Sequence, residues 1–472
     1  MSISAPVAPS VPKTIRQATV LAVCCTAVVM ANVDTTAVNV ALPAIGRGLD
    51  GSVAGAQWVV AAYTLTLACL LTLSGSLADR IGRRTIFQIG LAIFAMSSLL
   101  CSLAPSIGWL VAFRVMQAVG GSMLTPVAMA IISAVFTEPG QRVRAIGIWS
   151  GSIGIGMAAG PVIGGLLVET IGWEAVFWIN VPIAVTALAL TFLVVPQSKS
   201  ERPRALDPVG QLLVIGVLGL LVFAIIEGPH RGWLAPETLG SFAGSAVCLA
   251  ALLRYAPRHP HPLIDLRVFR SVPFTGAFVI AILAFAAMGG FLFLNTFYLQ
   301  EIRHDSPLMA GLALVPMAAA MFVFGPMSGR IVASRGARSA LSTGAVVATA
   351  AAAVLTLTFD GSANLLLLIG YAMFGAGIGL IYTPITATAV AGLPPAQAGV
   401  AASLASTSRQ IGQSLGVAVI GSLIASHPGA LTSAAAFQPP AHLGWLTITG
   451  LCAAALVAAR ISTAPKAVRA RF

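Results

Sequence analysis

"GSLADRIGRR", residues 75–84, closes one long apolar run, and "GRIVASRGAR", residues 329–338, closes another in the second half of the chain. In both, two glycines stand at the same spacing, Gly75 to Gly82 and Gly329 to Gly336, and the stretch ends in arginine. A repeated helix-end turn implies two related halves, an organisation typical of secondary transporters. The copies differ in one telling place: Asp79 in the first is answered by Ala333 in the second.

The flanking sequence is apolar throughout. Of 472 residues, 58% are hydrophobic and only 8% charged, with a mean hydropathy of +0.94, against roughly 25% charged residues in soluble domains. The apolar residues fall in blocks of about 20, each able to cross a hydrocarbon layer of about 30 Å. The short alternating strands of an outer-membrane barrel are missing. Helices are expected near 17–41, 54–78, 85–104, 108–135, 143–168, 173–196, 208–226, 238–255, 273–299, 307–331, 339–358, 363–390, 398–425 and 443–460. The chain therefore reads as an all-α integral membrane protein of fourteen spans. Residues 1–197 form an N-terminal six-helix half and 261–472 a C-terminal one. Residues 198–260 form a linker with two inserted helices, bracketed by the polar "QSKSERPRALDPVG" (197–210) and by 256–270.

An even count puts both termini on one side, and loop charge says which. With cytoplasmic termini, 21 basic residues fall in inner segments and only Arg47, Arg231 and Arg303 in outer loops, leaving Arg114 and Arg409 within the membrane. The expected location is a bacterial cytoplasmic membrane. Lys13 and Arg16 ahead of an apolar run resemble a signal peptide, but the spans that follow make this an uncleaved first helix.

Several classes are excluded. The net charge of +12 comes from scattered loop residues without interleaved aromatics, so no nucleic acid is expected. The six cysteines lie in apolar segments without a paired motif, which argues against a metal or disulfide framework. None of the three lysines, Lys13, Lys199 and Lys466, sits in a phosphate-binding glycine loop, so ATP drive through such a loop is ruled out. The six histidines show no metal spacing, and neither a nucleophile elbow nor a hydrolytic carboxylate pair is present. An enzyme thus lacks a catalytic constellation, and a channel lacks charge rings or a filter.

Along nearly its whole length the chain resembles the fourteen-helix drug:proton antiporters of the major facilitator superfamily. "GSLADRIGRR" is similar to that superfamily's signature between helices 2 and 3, with Gly75, Asp79, Arg80, Gly82 and Arg83 in place. "RVMQAVGGS" (114–122) resembles the helix 4 motif, although Ala118 stands where a glycine is usual. Gly147, Gly156, Gly160, Pro161, Gly164 and Gly165 match the helix 5 spacing of exporters. "VDTTAVNVALP" (33–43) and "TSRQIGQSLG" (407–416) resemble the helix 1 and helix 13 motifs of the fourteen-helix branch. The resemblance implies export of an amphipathic drug, antibiotic or toxic metabolite, with protons as coupling ions and no other cofactor. The runner-up is proton-coupled uptake, against which the helix 5 motif argues. Across classes, the rivals are a membrane enzyme or receptor.

Asp34 is the only acidic residue placed well inside the hydrocarbon, where an ionisable group is costly and a functional role is the default. Its depth on helix 1 matches that of Arg114 on helix 4, at about 1.5 Å per residue, so the two can share a pocket. Burial favours the neutral form of a carboxylate and a neighbouring cation its charged form. Asp34 is thus the candidate proton carrier, the alternative being a structural ion pair. Gln117, one turn beyond Arg114, faces the same side. Asn39, Gln117, Arg409 and Gln410 are candidates for the substrate cavity or its gating, with Tyr63, Trp178, Phe291, Phe293, Phe297, Tyr298 and Tyr382 as aromatic lining. Two membrane arginines against one aspartate make a dicationic substrate less expected than a monocationic, neutral or even anionic lipophile. Glycines four apart on helix 5 permit close backbone approach and Pro161 a bend; the resemblance sharpens this to a leak-resistant seam that flexes. The resemblance also implies that Asp79 and its arginines latch helix 2 to the opposite half in the outward-facing state, an arrangement that Ala333 makes one-sided. Besides substrate, protons and lipid, an adaptor or outer-membrane channel is not readable from the chain.

Overall fold

The computed structural model describes residues 13–200, 205–358, 364–394, 397–427 and 429–464. Fourteen helical spans appear among them, and no strand: α1 Lys13–Gly48, α2 Val53–Ile81, α3 Arg83–Ser102, α4 Ile107–Val135, α5 Pro139–Thr170, α6 Ala175–Val194, α7 Pro208–Arg231, α8 Pro236–Tyr255, α9 Val272–Phe297, α10 Pro307–Arg335, α11 Ala337–Thr358, α12 Asn364–Ala391, α13 Ala398–Ala425 and α14 Ala434–Ser462. Thirteen are long and apolar enough to cross a membrane by themselves. The exception is α13, whose Thr407, Ser408, Arg409, Gln410, Gln413 and Ser414 lower its hydropathy; it is flanked by α2, α9 and α12. Lys466 lies outside the described residues.

Two helices run furthest beyond their expected ends. α1 continues through Pro43 to Gly48. α14 starts at Ala434, where the Ser433 side chain accepts from the Ala436 amide at 3.2 Å. Pro439 and Pro440 fall inside this helix; burial of Phe437, Pro440, Ala441 and Trp445 compensates for the missing amide donors. α10 breaks at Leu314, just before Pro316, whose ring cannot donate to the preceding turn.

The packing repeats. α1 lies on α5, α2 on α4, and α3 on α4 and α6; correspondingly α9 lies on α13, α10 on α12, and α11 on α12 and α14. The repeated turn has a common cause: Gly82 has φ +128° and Gly336 φ +81°, a backbone region that other residues avoid, so each ends one helix and starts the next. α7 and α8 pair with one another, and α7 covers α2 and α13. Asp207 ties this pair down. Its carboxylate accepts from the Gly210 amide, the Tyr255 hydroxyl and the Leu263 amide, each at 2.8 Å. Burial pushes its carboxyl up, but those hydrogen bonds and the nearby His259 outweigh burial and hold it below the usual carboxylate range.

The two halves touch at the face away from the termini. There Gln57 Nε2 donates to the Ala418 carbonyl at 2.8 Å and Gln300 Nε2 to the Val40 carbonyl at 2.8 Å. Glu169 accepts from Ser306 Oγ at 2.6 Å and the Leu308 amide at 3.1 Å, and Arg47 pairs with Glu301. Toward the face that carries the termini, Phe322 still approaches Gly154, whereas Gly147, Gly151 and Gly325 face open space. The described contacts between the halves are therefore sparser on that face than on the other.

Candidate functional site

Asp34 is fully buried halfway along α1, and every partner it has comes from another helix. Arg114 Nη1 of α4 donates to Oδ2 at 2.6 Å, while Gln117 Nε2 and Asn180 Nδ2 donate to Oδ1 at 2.9 and 2.8 Å. Arg114 is 1% exposed and also donates to the Gln117 amide oxygen at 2.6 Å and the Val59 carbonyl at 3.2 Å. Its guanidinium lies 4.0 Å from the Tyr63 ring centre and 5.7 Å from that of Phe177. Gln117 Nε2 reaches Ser98 Oγ at 2.8 Å as well. A buried pair survives only when its remaining hydrogen-bonding capacity is met, and here α1, α2, α3, α4 and α6 all contribute.

Sequence reading placed Asp34, Arg114 and Gln117 together and missed Asn180. The signal was present in "WINVPI", residues 178–183, an amide inside an apolar run; a neutral side chain stands out less than a charge. α6 slackens at Ile179, so that Asn180 starts its longer helical segment. Asn180 Oδ1 is buried without a described partner. Asn180 also borders an apolar cavity of about 330 Å³ between α1, α5 and α6, lined by Cys25, Val29, Val33, Ile163 and Ile183.

The helix 5 glycines divide by what they touch. A methyl group on Gly156 would lie 2.9 Å from the Val29 carbonyl, and one on Gly164 2.7 Å from Ala37 Cα; one on Gly160 would collide with Thr36. Gly165 abuts Pro307 and Leu308 of α10, and the Pro161 carbonyl abuts Gly311. The seam thus joins α5 to α1 within its half and to α10 across the halves. Gly147 faces open space, as does Gly75, so close packing explains neither.

Asp79 makes no described contact with the opposite half. Arg83 Nη2 donates to its carboxylate at 3.2 Å, and the Ser200 amide to its main-chain carbonyl at 3.1 Å. Arg83 and Arg84 amides bond the segment after α6, through the Ser198 carbonyl at 2.9 Å and Gln197 Oε1 at 3.1 Å. Arg80 is exposed. Asp79 and Arg83 thus bond within their own half, and a cross-half latch through Asp79 is not among the described contacts.

Arg409 and Gln410 are half-buried on α13. Arg409 Nη1 donates to Thr386 Oγ1 at 3.1 Å, and its guanidinium stands 5.0 Å from the Tyr382 ring centre and 6.0 Å from that of Phe285. Asn39 is buried, donates to the Thr35 carbonyl at 2.8 Å, and leaves Oδ1 without a described partner. Neither Asn39 nor Arg409 joins the Asp34 cluster. Among the aromatic candidates, Trp178 is 59% exposed. Phe291 stacks on Phe374 at 4.5 Å inside the C-terminal half, and Phe293, Phe297 and Tyr298 are buried as well. Of these candidates, Tyr63 and Tyr382 lie against membrane arginines, as do Phe177 and Phe285, which the sequence reading did not single out.

Two repeated helical halves, an inserted pair and a charge cluster buried inside the N-terminal half define a secondary transporter fold. The chain belongs to the Major Facilitator Superfamily, which it matches over residues 24–417. It is 37% identical over 393 residues to the multidrug resistance protein Stp of Mycobacterium tuberculosis, covering 83% of this chain and 73% of that protein. It is 38% identical over 405 residues to the tetracenomycin C resistance and export protein of Streptomyces glaucescens, covering 85% and 75%. A bacterial homologue of the human lysosomal transporter Spinster, solved inward-facing and unoccupied, superposes with a TM-score of 0.65 at 18% identity, covering 97% of this chain and 98% of that one.

Proposed function

We propose that the protein exports lipophilic small molecules across the cytoplasmic membrane in exchange for protons, with Asp34 as the proton carrier. The carrying observation is the Asp34 cluster: a fully buried carboxylate held by Arg114, Gln117 and Asn180. The relatives' names, which concern multidrug resistance and antibiotic export, support the direction. We read the more loosely joined face as an opening, and the excess of arginines near the termini supports a cytoplasmic placement of that face, with the opening inward. In this state the Asp34–Arg114 pair is closed and the cavity awaits substrate. Once the halves have turned outward and released substrate, a proton arriving from outside neutralises Asp34, frees Arg114 from α1, and changes the balance between the two packings of the halves. The α5 seam then carries the motion while excluding water. Transport needs no cofactor beyond protons and no catalysis by the chain.

The test is efflux from energised cells preloaded in turn with an anionic, a neutral and a cationic lipophilic dye. The reading expects dye to leave against its gradient and to stop leaving when a protonophore collapses the proton gradient at constant ATP. Efflux that follows ATP and ignores the protonophore would overturn it.

A further inference from the structure

Within the membrane layer the charges do not balance. Asp34 and Arg114 offset each other at 2.6 Å, but no described carboxylate lies within ion-pairing distance of Arg409. It stands eleven residues into α13, about 16 Å along the axis, too deep for the head to reach the surface easily. An uncompensated charge at that depth is expensive and marks a functional site. The Tyr382 and Phe285 faces and Thr386 Oγ1 offset part of the cost, yet Thr386 accepts only one of five guanidinium N–H groups. Gln410 Oε1, on the same turn, is buried without a described partner. The surface nearby is basic on balance: Arg142 and Arg144 at the start of α5 and Arg330 and Arg335 at the end of α10 are exposed against one acidic neighbour, Glu138, and an excess of one sign concentrates ions of the other.

We infer that Arg409 is an anion-binding site of the inward-open cavity, and that it takes aromatic compounds bearing an ionised oxygen, with the anion on the guanidinium and the ring beside Tyr382. Calling this molecule the substrate rests on the export reading above; the binding site itself does not. A planar guanidinium suits an oxyanion better than an ammonium does, and its charge-assisted hydrogen bonds are the strong ones.

The experiment measures binding, without any gradient, to the full chain in nanodiscs of zwitterionic lipid. The probes share a pyrene body: pyrenebutyrate, its methyl ester, and pyrenebutylamine. Wild type should bind the carboxylate about tenfold or more tighter than the ester, and the amine weakest. Arg409→Gln should erase the preference for carboxylate over ester, and Arg409→Lys should keep part of it. Equal affinities for carboxylate and ester in wild type overturn the inference even if the variants fail to fold, as does tightest binding of the amine. Competition by added phosphatidylglycerol also overturns it, because Arg409 would then serve a lipid headgroup. Failure of dye efflux with the carboxylate preference intact would sink the export reading and leave the site standing.

Discussion

Asp34 is held by donors from α4 and α6, and each donor has a separable effect. Removing one partner of a buried ion pair costs about 3–5 kcal/mol, whereas removing both costs far less. Asp34→Asn should therefore lower the thermal stability of the detergent-solubilised protein, and the double variant Asp34→Asn with Arg114→Gln should recover most of it without recovering export. If the double variant transports normally, the pair is structural only. Asn180→Leu removes one of the three donors that hold the carboxylate. Export should fall several-fold while the protein still folds, and unchanged export would remove Asn180 from the coupling machinery. The charged members were legible in the sequence because a charge in an apolar run has few explanations. Asn180 and Ser98 were not, because a lone amide or hydroxyl in a membrane helix is ordinary and only packing brings them to Asp34.

At the scale of the helix, spacing overstated the seam. Six residues match the helix 5 pattern, but only those facing α1 and α10 approach another backbone; Gly147 points into open space. Gly164→Val should prise α5 from α1 and abolish export with a loss of several kcal/mol of stability, as overpacking and a broken backbone approach together imply. Gly147→Ala should stay within about 0.5 kcal/mol of wild type. Equal damage from both would mean that spacing, and not contact, defines the motif. The Asp207 cap makes a prediction with a sign. Its carboxyl is held below the usual range, so its stabilisation is present above the unfolded-state value, about 3.9, and fades as pH falls through the folded-state value. Asp207→Ala should cost about 0.5–2 kcal/mol at neutral pH, and the difference from wild type should shrink below about pH 4. Helix ends were the least legible feature: Ser433 starts α14 ahead of two prolines that read as a loop.

For the molecule as a whole, hydropathy, loop charge and the repeated glycine turn were enough to read fourteen spans in two halves, because each is a local property of the chain. The conformational state was not legible. It depends on which contacts between the halves are made, and Gln57 to Ala418 or Gln300 to Val40 joins residues distant in sequence. Nor could the sequence show that Asp79 is bonded to Arg83 within its own half. The central claim is that Asp34 couples proton entry to substrate exit. Its most direct test is simultaneous measurement of proton and dye flux in liposomes under an imposed pH gradient, comparing wild type with Asp34→Asn. The account predicts that wild type moves dye up its gradient while protons run down theirs, and that the variant moves neither, although it still folds and binds dye. Uphill dye movement by the variant, at the wild-type rate and with protons still flowing, would contradict it.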